Sequence, residues 1–86
     1  MLKEQTIVLS TPIKLNELEV KELNLREPQV SHMKQVQNLS GYEQTTKLIS
    51  LITGHPPLMI EQMALTDYQK CVGFFDSLFL PSDPAA

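Results

Sequence analysis

The chain has no tryptophan, one cysteine and three glycines in 86 residues. With Cys71 alone, no intrachain disulfide can form, which fits a reducing compartment. Basic residues are few and scattered: Lys3, Lys14, Lys21, Arg26, Lys34, Lys47 and Lys70 sit among acids, and the formal net charge is -3. Phosphate backbones are held by clustered cations, so nucleic acid is not an expected partner. No stretch approaches the roughly 20 apolar residues needed to span a bilayer. The opening M-L-K-E-Q-T lacks the apolar run of a signal peptide. Together these absences predict a soluble protein of the cytosol.

Chemistry is equally sparse. His32, His55 and Cys71 are the only nitrogen and sulfur side chains suited to a metal, and they form no C-x-x-C or H-x-x-x-H pair. No metal or cofactor is expected. A G-x-S-x-G elbow, a P-loop and a G-x-G-x-x-G turn are all missing. Glu17, Glu19, Glu22 and Glu27 crowd one region, but Lys14, Lys21 and Arg26 lie between them. That is the pattern of a solvated face, the default for charges. A small enzyme built from Glu and His side chains at a subunit interface has no support in the pattern, so a non-enzymatic protein is expected.

What is present is 42% hydrophobic and 20% charged residues, the balance of a globular chain. At this length it forms one small domain, with little room for a deep active site beside its core. Residues 1–80 are expected to make that domain. Residues 81–86, P-S-D-P-A-A, carry no large apolar side chain and are expected to be disordered.

Residues 5–26 read as strand. Ile7 and Leu9 share one face by the two-residue period, as do Ile13 and Leu15. Pro12 between them lacks the N–H a ladder needs and marks an edge, a bulge or a break. Asn16-Glu17 is the expected turn, without the glycine of the strongest hairpin signals. Leu18 and Val20 then alternate, and the pattern resumes at Leu23 and Leu25, so even positions become odd. Such a slip turns side chains to the other face unless a bulge intervenes, so an irregularity is predicted near Lys21-Glu22. Pro28 closes the segment.

The remainder reads as helix. Over Val30–Leu39 the apolar residues recur every three positions and drift around the axis. Ser40-Gly41-Tyr42-Glu43 matches a capping box, and Tyr42, Thr45, Leu48, Ile49 and Ile52 then hold one face. Gly54 supplies the C-terminal cap and Pro56-Pro57 block continuation. A short helix over Leu58–Met63 would take Pro57 as its first residue. Thr66 is the expected cap of a last helix ending at Pro81. On that helix Tyr68, Cys71, Val72, Phe74, Phe75, Leu78 and Phe79 cover an arc of roughly 160°. A surface helix needs only about 100° to meet its own core. The surplus has two readings, a core contact alone or a core contact that also leaves a face for another chain; the second makes Phe74, Phe75, Leu78 and Phe79 partner-binding residues, with Leu58 and Met59 as outlying contacts. Met33, Met59 and Met63 offer adaptable packing. The fold class is α+β: an N-terminal antiparallel β-hairpin or small sheet followed by three to four packed helices.

The order of these marks is itself informative. P-I-K-L at residues 12–15 precedes L-N-L-R-E-P at 23–28. A polar helix and an apolar helix follow, the latter closing in I-T-G-H-P-P at 52–57, and L-T-D-Y at 65–68 leads a helix containing G-F-F at 73–75. Over roughly residues 6–80 the chain resembles the small tail assembly chaperones of contractile-tailed phages and prophages, the E-type and Mu-like tail proteins. It departs from the family's pattern at Asn16-Glu17, where an Asp-Gly type turn is common, and at Leu58-Met59, where acids often follow the double proline. The resemblance implies a non-enzymatic role. Such proteins bind the tape measure protein, the helical ruler of the growing tail, in the cytoplasm of the bacterial host and are absent from the finished virion. It also implies, as a further partner, a longer form made by translational frameshifting; the chain itself is a partner on the reading of the apolar face alone. The alternative is a homo-oligomeric structural or adaptor protein that uses the same apolar face for self-association.

Overall fold

A computed structural model describes residues 3–79. The chain runs β1 (Glu4–Leu15), β2 (Leu18–Arg26), α1 (Val30–Val36), α2 (Gly41–Thr53), α3 (Pro57–Ile60) and α4 (Leu65–Phe79). The fold is α+β. The two strands pair antiparallel as a hairpin, and the helices cover one face of it. α2 rests on β2, α3 and α4 rest on β1, and α1 packs on α2.

The slip in the strand pattern is real, and its cause lies on the opposite strand. Pairing runs from Glu4↔Arg26 to Val8↔Glu22 and resumes at Ile13↔Val20. Leu9–Pro12 on β1 therefore face only Lys21 on β2, a wide bulge whose last residue is the proline that has no N–H to give. Three extra residues on β1 keep Ile7, Leu9 and Ile13 on the core face while β2 changes parity from Val20 to Leu23 and Leu25. All six are buried. The opposite face of the hairpin is wet: Thr6 Oγ1 donates to Asn24 Oδ1 at 2.9 Å and Lys14 lies 4.0 Å from Glu19. Asn16 turns the hairpin with φ +58°, in the left-handed region that asparagine tolerates better than most residues.

The helices begin close to where the sequence places them, though α1 and α3 stop three residues short, at Val36 and Ile60 instead of Leu39 and Met63, and two N-termini differ in detail. Ser40 takes the N-cap position of α2, yet its side chain makes no capping hydrogen bond. Gly41 follows at φ +61°, and that left-handed step carries the first-turn amides away from the serine. α4 begins at Leu65 rather than after Thr66, since the Ala64 carbonyl already accepts the first helical bond from Tyr68 N at 2.9 Å. Gly54 caps α2 as expected, at φ +84° with its N–H on Ser50 O. Pro57 opens α3. On α1 the apolar drift has a clear outcome: Val36 is buried, Met33 and Leu39 are partly buried against the core, and Val30 is exposed.

One cluster joins hairpin and helices. Leu23, Leu25, Val36, Ile49, Met59 and Cys71 are all at 0–1% exposure. Burying a large aliphatic side chain of this kind contributes about 1.5–3 kcal/mol. Residues 81–86, expected to be disordered, lie outside the described residues.

Candidate partner-binding site

The apolar arc of α4 is spent largely on the chain's own core. Cys71, Phe74 and Phe75 are buried, with Tyr68 and Leu78 packed at the margin. The Phe74 and Phe75 rings meet at a tilt of 59°, with centroids 5.5 Å apart. Met59 is also fully buried. These three expected contact residues are therefore packed inside the chain's own core. Of the remaining expected contacts, Leu58 is 60% exposed and Leu78 is half-buried. Phe79 is the last residue of α4.

Free apolar surface is found elsewhere. Exposed large hydrophobic residues on the helices are Val30 (75%), Tyr42 (69%), Leu58 (60%) and Leu65 (57%), and Val8 and Leu18 are exposed on the hairpin. Tyr42 and Leu65 line two adjoining hollows between α2, α3 and the start of α4, with volumes of about 280 and 380 Å³. Tyr42, Thr46 and Glu61 are common to both and form the ridge between them. One hollow runs toward Leu39, Lys47 and Pro57, the other toward Ile60, Met63, Leu65 and Tyr68. The Tyr42 and Tyr68 rings meet on the wall of the second hollow, their centroids 5.3 Å apart and tilted by 47°. Together the hollows make a trough with apolar walls, crossed by Glu43, Lys47 and Glu61.

What holds α4 against β1, and so sets the far wall of the trough, is Asp67. It is the one buried charged side chain among the described residues. Its carboxylate accepts from Ser10 N at 3.0 Å on both oxygens, Ser10 Oγ at 3.1 Å and Thr11 N at 3.3 Å. Lys70 Nζ lies 3.4 Å from its Oδ1. The bulge and the helix thus explain each other: Pro12 and its neighbours leave the ladder, and Asp67 in the first turn of α4 takes the amides set free. Burial alone pushes this carboxyl up, but the bonds from Ser10 and Thr11, with Lys70, outweigh it and hold Asp67 below its ordinary 3.8.

The other candidate groups have structural roles. His32 Nδ1 accepts from Gln29 N at 3.0 Å, so the imidazole caps α1. His55 sits in the loop after α2, its carbonyl accepting from Ser50 Oγ at 2.6 Å. The Cys71 thiol is pushed up to about 11 by burial and by the nearby Asp67 charge. Among the described residues no group of three or more His, Cys, Asp and Glu side chains could hold a metal ion. No helix among them is long and apolar enough to cross a membrane.

Sequence reasoning missed Tyr42 and Leu65 as surface residues and Asp67 as a clamp. Tyr42 falls on the core face of α2 by period, but one turn beyond the edge of what the hairpin covers. Leu65 reads as the residue before the last helix. Asp67 carries an ordinary signal, an acid in a helix's first turn, and nothing local ties it to residues 56 and 57 positions away.

Neither a curated protein nor a solved structure matches the chain. Residues 6–80 match the family described as phage tail assembly chaperone proteins, E, or 41 or 14. That match spans the hairpin, the clamp, the trough and the helices, and the chain belongs to the phage tail assembly chaperone family.

Proposed function

We propose that this chain binds the tape measure protein transiently while a phage or prophage tail is being assembled. It acts without catalysis, in the cytoplasm of the bacterial host, and leaves before the virion is complete. The observation that carries this reading is the trough lined by the exposed apolar side chains of Tyr42 and Leu65, in a chain of an assembly chaperone family. A contiguous exposed apolar patch on a small domain marks an interaction site. A tape measure protein is long and helical, and apolar segments left bare would aggregate. Covering them with a chain of net charge -3 keeps the complex soluble. Leu58 contacts the partner directly, with Leu78 and Phe79 at the far end of α4. Met59, Phe74 and Phe75 support the surface from beneath.

Co-expression with the tape measure protein of the same phage or prophage, followed by affinity capture and light-scattering mass, tests this. A soluble complex, from a partner that is insoluble alone, is the expected result and gives the stoichiometry. A partner left in the pellet beside a defined homo-oligomer of this chain would overturn it in favour of a self-associating adaptor. A longer frameshifted form would appear in the same preparation as a second, heavier species carrying this chain's peptides.

A further inference from the structure

We infer that the trough between α2, α3 and the start of α4 receives a single amphipathic α-helix, with two apolar anchors on one face and basic residues flanking them. The inference rests on the tape measure reading and specifies how that partner docks. Three observations carry it.

The first is the nature of the walls. They are helices and the tight turns that join them, in which the Leu39, Glu61 and Met63 amides already bond to the Val36, Pro57 and Ile60 carbonyls, and among the described residues no strand lines the trough. A segment laid there gains no main-chain hydrogen bonds from the wall. It must satisfy its own amides and carbonyls, which a helix does and an extended peptide does not. The second is the division of the trough. The ridge of Tyr42, Thr46 and Glu61 separates two hollows of about 280 and 380 Å³. Each has room for a large side chain, so anchors one or two turns apart, at i and i+4 or i+7, fit on either side. Tyr42 is the residue they share, an exposed aromatic of the kind enriched at binding hot spots. The third is charge. Glu43 and Glu61 border the trough, and neither forms an ion pair among the described residues. Lys47 is the only cation lining it among the described residues. Lys or Arg beside the anchors complements this rim, while acidic flanks are repelled.

The test uses overlapping 20-residue synthetic peptides tiling the tape measure protein, titrated against the full chain by fluorescence anisotropy. Thr46→Arg places a long side chain across the ridge of the trough. Tyr42→Lys removes the shared aromatic at a position so exposed that the fold does not depend on it. Glu43→Lys with Glu61→Lys reverses the rim. Val8→Arg changes the exposed far face of the hairpin as a control, and circular dichroism confirms that each variant is folded. The inference expects the best-bound peptides to gain helicity on binding. It expects about a tenfold loss or more from Thr46→Arg and Tyr42→Lys, a loss from the rim reversal that shrinks as salt is raised, and no change from Val8→Arg. Folded Thr46→Arg and Tyr42→Lys chains that bind as tightly as the parent would overturn the trough while leaving the chaperone reading intact. A rim reversal that strengthens binding would overturn the basic flanks. If neither the peptides nor the co-expressed tape measure protein is captured by the parent chain, both readings fall together.

Discussion

Replacing Asp67 by asparagine keeps the shape of the side chain and removes its charge. In the parent chain the carboxylate accepts two backbone N–H groups and a hydroxyl and faces an ammonium. The amide retains one acceptor oxygen. If that oxygen takes the place of Oδ2, it still meets Ser10 and Thr11, but as a neutral acceptor, and the NH2 group turns toward Lys70 and the second contact from Ser10. Hydrogen bonds to charged groups contribute about 1.5–3 kcal/mol against about 0.5–1.5 for neutral ones. The half-exposed Lys70 adds little, as surface pairs do. Losing charge assistance on two or three bonds therefore costs about 2–3 kcal/mol. For a domain of this size that is a fall in melting temperature of roughly 10–20 °C. The change also has a pH signature. Asp67 titrates below its ordinary 3.8 in the folded chain, so its contribution is complete above that value and is lost as pH falls through the lower folded value. The gap between parent and Asp67→Asn should be full at pH 7 and should narrow below pH 3.8. Urea unfolding followed by circular dichroism at a series of pH values reads both quantities. A gap that stays constant into acid, or a melting temperature unchanged at neutral pH, would refute the clamp.

Phe75→Ala should unfold the chain or lower its stability by about 3–5 kcal/mol, because the ring is buried in the core; denaturant titration measures this. Gly73→Ala should raise stability by nearly 1 kcal/mol, since a Cβ at Gly73 meets nothing within 4 Å on α4. Gly54→Ala should instead cost about 1–2 kcal/mol through its left-handed φ of +84°; thermal melts of the two variants should shift in opposite directions. The Cys71 thiol, buried and pushed up to about 11, should resist iodoacetamide at pH 8 in the folded chain and react quickly once urea unfolds it.

The hairpin was legible because its signal is periodic and local. The change of parity between Val20 and Leu23 announced a bulge, and Pro12 offered a reason, although the extra residues prove to lie on β1. The stops of α2 and the start of α3 were written in Gly54 and Pro57. The contact surface was less legible. A wide apolar arc on one helix has two causes, a partner or a broad internal contact, and periodicity does not distinguish them. Phe74 and Phe75 were spent on the core, while Tyr42 and Leu65, which look like the edge of a core face and the approach to a helix, were left outside.

The sequence by itself determined the class of fold and the order of its elements. Each of these follows from residue type, period and short-range turn or cap preferences. Only the tertiary structure decided which apolar residues are free. Exposure depends on which elements cover one another, and that is fixed by contacts between residues far apart in the chain. The bond from Ser10 to Asp67 across 57 positions is the clearest case. It places α4 on β1, buries the phenylalanines, and leaves the tyrosine and leucine at the mouth of a trough that no local pattern describes.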